Sequence, residues 1–207
     1  VMGHMSQLKQ EYRGLMERLD HHAVGMPRPE DERALQGWRE LLEVMYSPEE
    51  AALASRMPMM PTPLSKLAGR FDMPAEELRE KLEPLCDKGL AMDLVSRNTG
   101  ETKYLLAPPV VGFFEFSMMR AHDMFDKLSV AKAMDAYMHG DDTFVKEVFG
   151  NDMVIGRAMV HEDMLAADIP EVLDWERTTK LINDAEQIAV SHCYCRHKAE
   201  HLGKACD

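Results

Sequence analysis

The sequence predicts an α+β fold that is mostly α, and three observations carry that reading. Apolar residues recur at helical spacing through most of the first 150 positions. Two short β-type runs flank Asn98-Thr99-Gly100. Beyond Gly150 the texture changes, and cysteine and histidine gather in the last seventeen of the 207 residues. The division that follows is a helical domain over 6–150 and a small α/β segment over 151–207.

The elements can be justified in order. Gly3-His4-Met5 resembles an expression-vector scar, so fold reasoning starts at Ser6. Leu8, Tyr12, Leu15, Met16 and Leu19 predict an amphipathic helix ending near His21 and His22, which are expected as solvated helix-end residues. Met26-Pro27-Arg28-Pro29 breaks the chain. Asp31 caps a second helix with Leu35, Trp38, Leu41, Leu42 and Met45 as its buried stripe. Ser47-Pro48-Glu49-Glu50 is a third helix start, with serine at the N-cap and proline in the first turn. Met57-Pro58-Met59-Met60-Pro61 reads as a loop whose methionines pack rather than bind copper(I).

From Thr62 the order is helix (62–71), a turn at Asp72-Met73-Pro74, helix (75–88) closed by Gly89, then a hairpin over 90–107. Helix, turn, helix, hairpin is the order of a winged-helix-like unit. Pro84 conflicts with the second helix and should kink it or mark its last turn. That helix carries Glu76, Glu77, Glu80, Glu83 and Asp87 against Arg79, Lys81 and Lys88, which opposes contact with phosphates. Cys86 is expected to be a buried, inert thiol. The apolar run Val110–Phe116 leads into one long helix over 117–140, and Glu115 within that run should find an arginine or a backbone donor. Asp141-Asp142-Thr143 caps a short helix ended by Gly150. Further on, strand character is expected over 153–160, a helix over 175–185 capped by Asp174, and a strand over 187–192.

That last strand delivers Cys193, Cys195 and Cys206, spaced C-x-C-x10-C, with His192, His197 and His201 interleaved. Crowded sulfurs point to a metal, because thiolates at close range repel unless a cation or cluster neutralises them. Cys193 and Cys195 are expected in a turn leaving the strand, with Gly203 allowing the bend that returns Cys206. Arg196, Lys198 and Lys204 add local positive charge that can offset an anionic centre. Three sulfurs leave two chemistries open: an iron–sulfur cluster whose fourth ligand lies elsewhere, or a Cys3His zinc site completed by His192, His197 or His201.

The run Ile188–Lys198 followed by His201-Leu202-Gly203-Lys204-Ala205-Cys206 resembles the C-x-C-R…G-x-x-C segment of bacterial and archaeal 4Fe-4S ferredoxin-type proteins with an N-terminal winged-helix-like region. The resemblance implies a 4Fe-4S cluster held by Cys193, Cys195 and Cys206, with Arg196 beside it and a further cysteine following. It implies one-electron transfer to a redox partner protein, by a non-catalytic carrier or an oxidoreductase subunit. A winged-helix transcriptional regulator or a zinc-stabilised interaction module is the competing class.

Composition trims the alternatives. A net charge of −12 opposes non-specific attraction to nucleic acid and anionic membranes. No apolar run approaches the ~20 residues of a membrane helix, and no signal-peptide pattern opens the chain, so a cytoplasmic protein is expected. A second copy of the chain remains open as a partner. His161-Glu162-Asp163-Met164-Leu165 has leucine where the zinc-protease motif needs its second histidine. Phosphate-binding glycine loops and nucleophile elbows are absent from the sequence.

Overall fold

The computed structural model describes residues 10–22, 24–150 and 175–204. Cys206 and the expectations for 151–174, including the strand over 153–160, the His161–Leu165 fragment and the cap at Asp174, lie outside the described residues. Within them the chain is mostly helical with one small antiparallel sheet.

Helix α1 (Gln10–Asp20) buries Tyr12, Leu15, Met16 and Leu19 against α3 (Pro48–Ser55). Helix α2 (Glu32–Met45) starts where Asp31 accepts hydrogen bonds from the N–H groups of Arg33 and Ala34, and it buries Trp38, Leu41, Leu42 and Met45. At α3 the capping box is complete: Glu50 N–H donates to the Ser47 hydroxyl, and Ser47 N–H donates to the Glu50 carboxylate. Each start is local chemistry, which is why the sequence pattern locates it.

The middle of the chain runs β1 (Thr62–Pro63), α4 (Leu64–Phe71), α5 (Ala75–Lys88), β2 (Ala91–Val95) and β3 (Thr102–Leu106), with sheet order β1-β3-β2. Thr62 pairs with Tyr104 and Pro63 with Lys103, so these two residues form a short strand and not the start of the expected capped helix. Only the tertiary partner makes them a strand. In α5 the helix passes through Pro84 to Lys88, and Gly89 (φ +78) closes it with its N–H on Leu85 and Cys86 carbonyls. Cys86 is buried as expected, and loss of solvation, with Asp93 adding to it, pushes its thiol up to about 12.

After Leu106 the chain makes a wide turn over 109–113. Val111 there adopts left-handed backbone (φ 52) while standing 63% exposed, and Gly112 donates its N–H to Glu115 Oε2 at 2.9 Å. The backbone donor expected for Glu115 is thus Gly112. The long helix expected over 117–140 is two: α6 (Phe114–Met119) and α7 (Lys127–His139). Arg120 turns extended (φ −82, ψ 136), and Asp126 restarts the helix by accepting from Leu128 and Ser129 N–H. The exposed N-cap at Asp126 outcompetes continuation of the helix.

Helices α2 and α7 pack antiparallel and close. An added Cβ on Gly37 would stand 2.7 Å from Ala136 Cβ and 2.8 Å from the Ala133 carbonyl oxygen. Phe113, Phe114, Tyr137 and Phe144 stack and edge together beside this contact, the last from α8 (Thr143–Phe149). Asp141 closes two helices at once. Its Oδ2 accepts from Glu30 and Asp31 N–H (2.8 and 3.0 Å), and Oδ1 accepts from Thr143 N–H (2.8 Å).

Beyond residue 150 the described residues hold α9 (Trp175–Asp184) and α10 (Tyr194–His201) and no strand. The expected strand over 187–192 is an irregular, exposed segment, with a backbone bond from His192 N–H to Met119 O at 3.0 Å.

Candidate functional site

Helix α10 carries the site, where a loop was expected. Tyr194 to His201 includes arginine, lysine, alanine and glutamate, all strong helix formers, and Cys193 takes the N-cap position (φ −69, ψ 118) without a side-chain cap bond. Gly203, just past the helix, takes left-handed backbone (φ +66), while the return of Cys206 lies outside the described residues. Cys193 and Cys195 are both exposed and carry free thiols. One stands at the N-cap and the other in the first turn, so the backbone N–H groups that lack intrahelical partners lie beside them. Arg196 follows, also exposed. Among the described residues no group of three or more histidine, cysteine or acidic side chains is arranged to hold a metal ion.

What holds α10 in place is the C-terminal end of α6. Three successive carbonyls there receive donors: Ser117 O from Lys127 Nζ, Met118 O from His197 Nδ1 (2.6 Å), and Met119 O from His192 N–H (3.0 Å). Cations and N–H groups at a helix C-terminus answer both its unpaired carbonyls and its negative field. Tyr194 and Leu202 pack against the core, and the Tyr194 hydroxyl reaches Met138 Sδ at 3.8 Å. Burial, with Glu115 adding to it, raises the Tyr194 phenol above its ordinary value.

A histidine ladder runs beside the sulfurs. The His192 ring stacks on His197 (centroids 4.6 Å, 26° apart), and His197 meets His201 at 4.8 Å, with Nε2 to Nε2 at 3.1 Å. A carbonyl only accepts, so His197 Nδ1 carries the hydrogen shared with Met118, and its Nε2 presents a lone pair to His201.

Lys127 is a group the sequence reading passed over. Its ammonium sits 4.4 Å from the centre of the Phe125 ring and 3.5 Å from His122 Nε2. Loss of solvation lowers it to about 8, against a smaller raising effect of Asp123. The lysine follows Asp126 in the mixed run His122-Asp123-Met124-Phe125-Asp126, where no sequence signal sets it apart from a surface lysine.

A cleft opens between this region and the sheet, lined by Ala91 and Asp93 of β2, Phe116 and Met119 of α6, and Val190 and His192. None of the described helices is long and apolar enough to cross a membrane. Comparison of the chain with family models, with curated proteins and with solved structures finds no match.

Proposed function

We propose that this protein binds a 4Fe-4S cluster through Cys193, Cys195 and Cys206 and passes single electrons to a redox partner protein. The observation that carries the reading is the presentation of the first two sulfurs. Both are exposed and free at the N-terminal end of a docked helix, beside unpaired backbone N–H groups and Arg196. Backbone donors and cations around thiolate sulfurs are what an anionic cluster uses, and they tune its potential. The resemblance of the segment to ferredoxin-type proteins points the same way. Arg196 would offset cluster charge without ligating.

Anaerobic reconstitution with iron and sulfide tests this. A brown protein with broad visible absorbance that bleaches on reduction is expected, with C193S, C195S and C206S each losing most of the colour. A protein that stays colourless after reconstitution and binds stoichiometric zinc in its place would refute the cluster and favour a zinc-stabilised module.

The unit β1-α4-α5-β2-β3 supports a winged-helix-like reading through its element order and its β1-β3-β2 sheet. We read it as a protein-contact unit. Helix α5, in the position of a recognition helix, exposes acidic residues, and Arg79 and Lys81 lie against Glu76 (3.2 Å) and Glu77 (3.7 Å). Such a face repels phosphate before any base is read. Salt-dependent duplex binding would overturn this and favour a regulator.

A further inference from the structure

We propose that His197 and His201 form a binding site for one divalent transition-metal ion, separate from the cysteine sulfurs. The two residues stand four apart on α10, so their side chains share one helix face. Histidines at this spacing on a helix are a recurrent metal-chelating pair.

The geometry goes further than spacing. With metal–nitrogen bonds of about 2.05 Å, the 3.1 Å separation of the two Nε2 atoms corresponds to an angle of about 98° at the ion. That lies between octahedral and tetrahedral values. The separation of the two nitrogens therefore suits one ion, with a turn of the rings to aim both lone pairs at it.

His197 is also oriented as metal-bound histidines are. Its Nδ1–H is held by the Met118 carbonyl at 2.6 Å, which fixes the tautomer and leaves Nε2 as the free lone pair. The His192 ring lies flat on the His197 ring at 4.6 Å and restricts its rotation, acting as a positioning residue. Without metal, one hydrogen must lie between the two Nε2 atoms, because two bare lone pairs at 3.1 Å would repel. Metal binding takes the place of that hydrogen, which moves to His201 Nδ1 so that both rings bind as neutral imidazoles.

Two imidazoles set the class of ligand. Imidazole suits zinc, copper, nickel and cobalt ions, whereas calcium and magnesium require oxygen. No third side chain completes a cluster among the described residues, so water fills the remaining positions and the site exchanges its metal readily. The Asp126 carboxylate, at the N-cap of α7, is close enough to feel the charge of His201. The inference is independent of the cluster proposed above, since it uses neither Cys193 nor Cys195.

Zinc titration of the full chain carrying C193S, C195S and C206S together is the test, followed by calorimetry. One equivalent is expected to bind. H201A should weaken it at least tenfold while leaving the circular dichroism unchanged, since His201 does not dock α10. H192A, which removes the ring stacked on His197, should weaken binding less, by about threefold. If the sulfur-free chain folds poorly, the wild-type chain is titrated and its imidazole resonances are followed by NMR, where His197 and His201 should shift together. No binding to the folded sulfur-free chain, unchanged affinity in H201A, or wild-type imidazoles that do not respond would each overturn the site.

Discussion

Replacing Asp141 by alanine removes one carboxylate that closes the starts of α2 and α8 together. Burial alone would raise this group. The N–H groups of Asp31 and Thr143, the Thr143 hydroxyl and the N–H of Glu30 outweigh that and hold it at about 2. A fall from 3.8 to about 2 corresponds to at most about 2.4 kcal/mol, at about 1.4 kcal/mol per tenfold change in proton affinity. Solvent screening of a half-buried carboxylate reduces this to about 1.5 kcal/mol. The caps of α2 and α8 at Asp31 and Asp142 stay in place. The loss is that of the bonds from Glu30, Asp31 and Thr143 N–H, and about 1.5 kcal/mol is expected for D141A at pH 7. The proton affinity is depressed in the folded state, so the stabilisation is full above about pH 4 and is lost as pH falls toward 2. Near pH 3 about half of it is gone. Urea denaturation of wild type and D141A at pH 7 and pH 3 measures both numbers. A gap below about 0.5 kcal/mol at pH 7, or one that does not narrow at pH 3, would refute the claim that this carboxylate ties the two helices through its charge.

Three further outcomes follow from the geometry. G37A should cost about 2–3 kcal/mol in thermal or chemical denaturation, because the new methyl meets α7 backbone at 2.8 Å and the helices must move apart. V111G should stabilise by about 1 kcal/mol, since the left-handed backbone suits glycine and the valine side chain is largely exposed. Lys127 should titrate near 8 by NMR. Because its proton is held more weakly in the folded chain than in the unfolded one, this group adds stability as pH rises from about 8 toward the ordinary lysine value.

Much of the helical body was legible because its signals are local. Asp31, Ser47 with Glu50, and Gly89 each act within four residues of their own position, and the caps and stripes of α2, α3 and α5 follow from them. The hairpin around Gly100 (φ +68) is equally local. Long-range pairing was not legible: Thr62 and Pro63 read as a helix start until β3 is placed beside them. The split between α6 and α7 was hidden because apolar residues continue on both sides, so that Asp126 looks like an ordinary surface residue. At the candidate site the residues were visible and their backbone was not. Cys193–His201 has no apolar period of its own; its helical state depends on Tyr194, Leu202 and the α6 carbonyls. Reading it as a loop concealed the fact that His197 and His201 share a face.

The triple capping of α6 has a consequence for motion. Helix α10 is tied to the body through the Met118 and Met119 carbonyls of α6 and, on α7, through Met138 and the Lys204–Asp135 pair. Tyr194 and Leu202 are the apolar side chains it packs against the core cluster among the described residues. With no fully buried residue of its own, α10 is expected to open ahead of the α2–α7 pair. Amide hydrogen exchange should therefore show 194–202 exchanging together and well ahead of the α2–α7 pair. Metal at the histidines would slow that early phase and leave the later one unchanged.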